Sequence, residues 1–165
     1  MSQSKSAPLF MNRFELVKET TTNKYFKIME LYDHSRNDYS LLKITKNPKT
    51  CPYSLSKEVK YLSKLEGYPG IPEVVWSGKV EDGAEASVMS LLGESLSSRL
   101  KACNNKFTIK TSCMLALDLL KMIKNLHSKG LLHRKICIDS FVFGRGKKCN
   151  QIYFKELRTC SKTSF

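Results

Sequence analysis

The stretch TIKTSCMLALDLLKMIKNLHS, Thr108 to Ser128, decides the architecture. Leu115, Leu119, Met122, Ile123 and Leu126 recur at three- and four-residue spacing, while Lys110, Asp118, Lys121 and Asn125 fall on the other side, which predicts one long amphipathic helix. Thr108 can cap its start, because a short side-chain oxygen reaches one of the amides that a helix leaves unpaired, and Gly130 supplies the stop. Ala116, Leu117 and Leu120 widen the apolar face beyond what a single small sheet covers, so the helix is expected to have partners on more than one side.

Toward the N-terminus, Ala86 to Leu92 and Val74-Val75-Trp76, between Gly70 and Gly78, read as two buried strands. Before them Leu55, Val59, Leu62 and Leu65 recur at helical spacing between Pro52 and Gly67, predicting one amphipathic helix. Three β-like segments stand earlier still: Phe14 to Glu19, Tyr25 to Tyr32 and Tyr39 to Thr45, broken at Thr20 to Lys24 and at Asp33 to Asp38. An antiparallel meander is the economical arrangement. Residues 1–12 are polar and aperiodic and read as a flexible leader.

At 165 residues and 41% hydrophobic content the chain is expected to bury a core of about one domain. It has no run of about 18 apolar residues to span a bilayer, and Met1 to Phe10 lacks the apolar stretch of a secretory signal, so an intracellular protein, cytoplasmic or nuclear, is expected. The six cysteines form no Cys-x-x-Cys pair and are read as reduced thiols. The net charge of +13 is uneven. Met1 to Glu94 carries 13 basic and 12 acidic residues, whereas Ser95 to Phe165 carries 15 and 3. Such a field favours an anionic partner, which could be a phosphoprotein, a nucleic acid or an anionic surface.

Local sequence adds a resemblance. Gly70-Ile71-Pro72, Val75-Trp76 with Gly78, Val88-Met89-Ser90-Leu91-Leu92-Gly93, Ser95-Leu96, Lys106-Phe107-Thr108-Ile109-Lys110-Thr111 and His127-Ser128-Lys129 before His133-Arg134 resemble the casein kinase I family of protein kinases in order and spacing. The likeness spans roughly residues 14 to 154. It implies an α+β fold: a kinase-like N-lobe over 13–92, with an antiparallel five-stranded sheet and one helix, then a partial helical C-lobe over 93–154 and a basic tail over 155–165. In the family the long helix packs on a later helix that is not in this sequence, so an exposed apolar face is expected.

The resemblance also implies roles. Lys43 corresponds to the strand lysine that holds ATP phosphates and Glu58 to the helix glutamate that pairs with it. Met89 and Leu91 fall in the nucleotide pocket and hinge. Other family residues are missing. The turn Lys18-Glu19-Thr20-Thr21-Thr22-Asn23-Lys24-Tyr25 has no glycine to let backbone amides approach phosphate, and its threonines are stiff. His133 and Arg134 keep the lead of the catalytic loop, but Lys135 stands where the aspartate that accepts the substrate proton would be. Cys137, Ile138 and Ser140 replace the family's lysine, proline and metal-holding asparagine, while Asp139 keeps the family identity. The metal-binding Asp-Phe-Gly falls by counting at Glu156-Leu157-Arg158, where Glu156 is the one candidate magnesium ligand.

These departures predict a catalytically inactive pseudokinase acting as a protein-interaction or regulatory module, with no cofactor required and ATP and magnesium held weakly if at all. Its partner surface is expected on the helix at about 108–128, through a second protein or through self-association. Two alternatives stand beside it. One is a serine/threonine kinase working with unorthodox residues, namely Lys43, Glu58 and Glu156. The other is a basic module whose Lys135, Arg145, Lys147, Lys148 and Arg158 contact nucleic acid or phosphorylated acidic proteins.

Overall fold

The computed structural model describes residues 10–80 and 83–163. It is an α+β protein whose described residues fall into two compact units. The first runs to Pro52 and takes in Val75–Leu91; the second comprises Tyr53–Val74 and continues from Leu92.

The first unit is built on an antiparallel sheet of β1 (Phe14–Thr22), β2 (Phe26–Asp33), β3 (Asp38–Thr45), β4 (Val74–Lys79) and β5 (Glu85–Ser90), in the order β1-β2-β3-β5-β4. Alternation along the strands turns Phe14, Met29, Leu31, Leu42, Ala86 and Val88 to one buried cluster, against which Phe10, Ile44, Val75, Trp76 and Val80 pack. The expected meander is thus present, and β5 inserts between β3 and β4. That order makes β4 an edge strand of half-buried and exposed residues, not the buried strand expected of it, whereas β5 is buried through its centre.

The break expected at Thr20 to Lys24 is shorter. Thr21 and Thr22 continue β1 opposite Ile28 and Lys27, since β-branched residues suit an extended backbone, and the turn narrows to Asn23–Tyr25. Of the leader expected over residues 1–12, residues 1–9 lie outside the described residues. Phe10 bridges to Phe14, and its ring stands edge-on to Trp76 at 5.6 Å.

The second unit holds the helices. α1 (Leu55–Lys64) is capped by Ser54, whose hydroxyl accepts from the Lys57 amide. α2 (Leu96–Ala102) is capped by Ser95 and is too short to show a helical period in the sequence. α3 (Ile109–Ser128) is the helix expected from its periodicity: Thr108 caps it at 3.2 Å from the Thr111 amide, and Gly130, at φ +66°, ends it. Its inward side carries Met122 and Leu126 fully buried and Leu115, Leu119 and Ile123 partly buried.

Beyond α3 come two antiparallel two-stranded pairs. β6 (Leu131–Leu132) pairs with β9 (Ser161–Lys162), and β7 (Phe141–Phe143) with β8 (Ile152–Phe154). Gly70, at φ +80°, fits where a Cβ would lie 2.7 Å from the Met122 methyl and 2.8 Å from the Ile152 carbonyl. No helix among the described residues is long and apolar enough to cross a membrane.

Candidate functional site

In the first unit, Lys43 lies on β3, 4% exposed, with its ammonium 4.7 Å from the centre of the Phe26 ring. It stands in register between Ile28 and Ser87. Met89 is buried on β5 opposite Leu41, and Leu91 lies half-buried just past the strand.

The hairpin turn between β1 and β2, which has no glycine, closes on its own backbone donors. The Asn23 side-chain oxygen Oδ1 accepts from the backbone amides of Tyr25 and Phe26, each at 2.9 Å, and the Asn23 backbone amide donates to the Phe26 carbonyl. Three backbone donors at the tip are therefore already committed. Glu19 adds negative charge beside them, its carboxyl held below the usual range by the Thr22 hydroxyl at 2.6 Å and by Lys27.

In the second unit, Glu58 lies in the first turn of α1 and is 2% exposed. One of its carboxylate oxygens accepts the Leu157 amide at 2.9 Å, joining residues 99 apart in the chain. Leu157 is fully buried, so the stretch read as a basic tail carries an interior anchor. Cys160 follows it inside. Burial, reinforced by the Glu58 charge, pushes its thiol up to about 12. Glu156 pairs with Arg158 at 2.9 Å, and the Arg158 guanidinium lies 4.7 Å from the centre of the Tyr53 ring.

The segment 133–140 forms an ordered loop. His133 is 2% exposed and stacks on Phe154 at 5.2 Å. Burial pushes its pKa below 6.5, against the opposing pull of nearby Glu156 and Lys135 backbone groups. Its carbonyl accepts from the Thr159 hydroxyl at 2.9 Å, tying the loop to the segment that holds Leu157. Arg134 takes φ +65°, a left-handed backbone that costs a residue with a Cβ on the order of 1 kcal/mol. Ser140 closes the loop by donating to the Lys135 carbonyl at 2.7 Å, and its own carbonyl accepts from the Lys155 amide.

Lys135 is exposed, as are Cys137 and Asp139, the latter in a short 3-10 turn. Thus the structure brings His133, Lys135 and Ser140 together in one loop and links it to the 156–159 segment. The link was invisible in the sequence because it runs through backbone groups and through Thr159. Among the described residues, no three His, Cys, Asp or Glu side chains gather as a metal-holding group.

A different surface stands out on α3. Ile109 is 85% exposed, Leu120 64%, and Met114 and Leu117 58% each. Leaving such a side chain in water forgoes roughly 1.5 to 3 kcal/mol apiece. No family model matches the chain.

Proposed function

We propose that the chain is a casein-kinase-I-like pseudokinase, a non-catalytic interaction module that keeps the loop architecture of a phosphotransferase without its chemistry. The observation that carries this reading is the ordered loop 133–140 with an exposed lysine, Lys135, at the position that the resemblance assigns to the catalytic aspartate. A protonated lysine accepts no proton from a substrate hydroxyl and reverses the local charge. Asp139, four residues on, offers its carboxylate from an exposed 3-10 turn.

The contact between Glu58 and the Leu157 amide supports the register in which Glu156-Leu157-Arg158 stands for the metal-binding triplet, since it fixes that triplet to the helix glutamate of the same resemblance. Within that register Arg158 replaces a glycine and engages the only carboxylate of the triplet. The closed Asn23 turn argues the same way for the nucleotide.

A thermal-shift titration of the purified chain with ATP, with and without magnesium, tests the proposal together with phosphotransfer to an acidic protein. No magnesium-dependent shift and no transfer are expected. Transfer that disappears in Lys43→Ala would overturn the reading and make the protein an unorthodox kinase.

A further inference from the structure

Ile109, Cys113, Leu117 and Leu120 follow one another at intervals of four, four and three residues, so they line one side of α3 over about 17 Å. All four are exposed, and Ala116, also exposed, lies among them. The buried line of the same helix, Leu115, Leu119, Met122 and Leu126, faces elsewhere, so α3 carries two apolar stripes of which one is unpartnered among the described residues. The free stripe has a charged border of a single sign. Lys121 and Lys124 stand one turn beyond Leu117 and Leu120, and Lys106 and Lys110 flank the helix start. Asp118 is the one acidic residue of the helix, and it already pairs with Lys121 at 3.9 Å.

We infer that this stripe docks an acidic amphipathic helix of another protein, with apolar side chains at three- and four-residue spacing against Ile109, Leu117 and Leu120 and with Asp or Glu flanks meeting Lys110, Lys121 and Lys124. Charge complementarity selects the occupant. A second copy would bring two surfaces of like sign together, from halves that each carry 15 basic and 3 acidic residues beyond Glu94. A nucleic acid would satisfy the lysines and leave the apolar stripe wet. Only an acidic helix with an apolar side answers both features. The inference rests on the reading of the chain as an interaction module and is independent of whether catalysis is lost.

The test is selection of a displayed library of random 20-residue peptides on the full chain. Enriched peptides are expected to pattern apolar residues at helical spacing among Asp and Glu. By fluorescence anisotropy they should bind at least tenfold more weakly to a Leu117→Gln/Leu120→Gln double variant and to a Lys121→Glu/Lys124→Glu variant. Circular dichroism should show both variants folded, because the substituted side chains are exposed. Four results would overturn it: no enrichment, enrichment without acidic residues, binding indifferent to Leu117 and Leu120, or a concentration-dependent dimer in sedimentation that the double variant abolishes. Phosphotransfer by a chain that still passes this test would sink the pseudokinase reading alone.

Discussion

Asp33 shows how one side chain can hold the end of a strand. Its carboxylate is fully buried and takes a two-pronged hydrogen bond from Arg13, at 2.8 and 2.7 Å, and another from the Ser35 hydroxyl at 2.8 Å. The Arg13 bonds, helped by Ser35, hold its pKa at about 2, below the ordinary 3.8. The folded state therefore prefers the ionised form. The stabilisation is complete above about pH 4 and is lost as the pH falls through about 2. Asp33→Asn should lower the denaturation midpoint at neutral pH by the equivalent of about 1 to 3 kcal/mol, and the gap from the parent should close in melts near pH 2. His133 works at higher pH. Its pKa is depressed, so the stability it contributes is full above about 6.5 and erodes as the pH falls below that value. Thiol chemistry gives a third test. Cys103, Cys113, Cys137 and Cys149 are exposed, whereas Cys160 is buried with its thiol pushed up to about 12. A thiol reagent at pH 8 should label those four in the native protein and reach Cys160 only on unfolding. At this scale Lys135 was singled out by resemblance to a short motif, and the residue lies exposed in a loop. The sequence was silent on Asp33, whose partners lie 20 residues away and two residues on.

The elements differ in how far a local signal announces them. α3 was legible to its caps, since a 20-residue helix repeats its pattern several times and Thr108 and Gly130 bracket it. α2 and the paired strands β6 to β9 were not, because elements of two to seven residues carry less than two turns or two alternations of pattern. Packing between elements was equally hidden. Gly70→Ala should destabilise by about 2 kcal/mol, since the new methyl meets the Met122 side chain and the Ile152 carbonyl from a left-handed backbone. On α3 the two stripes should respond differently. Leu126→Ala is expected to cost about 2 to 5 kcal/mol in chemical denaturation, whereas Leu117→Gln should change stability by less than about 0.5 kcal/mol. The periodicity had merged both stripes into one broad face. Sequence spacing reports that a residue is apolar, and the neighbours that cover it come from elsewhere in the chain.

For the molecule as a whole, charge and fold divide along the chain. Excess basic charge lies in residues 95–165, so self-repulsion falls mainly on the helical unit. Raising salt from about 50 to 200 mM should stabilise the protein by screening that repulsion; a melting temperature that falls would show favourable ion pairs in control. The five strands and the two principal helices could be read from hydrophobic periodicity, whereas one five-stranded sheet was implied by the resemblance alone and the insertion of β5 beside β3 was not foreseen. Strand order depends on pairing partners about 45 residues apart, which no local pattern encodes. One property of the sheet bears on how the protein survives at high concentration. β1 is an edge strand with half-exposed Leu16 and Val17, yet its pairing with β2 slips twice, between Leu16 and Lys18 and between Glu19 and Thr21. Each slip bends the strand and interrupts the row of free amides and carbonyls that another chain would need as a template. An apolar edge that would otherwise invite fibril-like stacking is in this way made a poor seed for it.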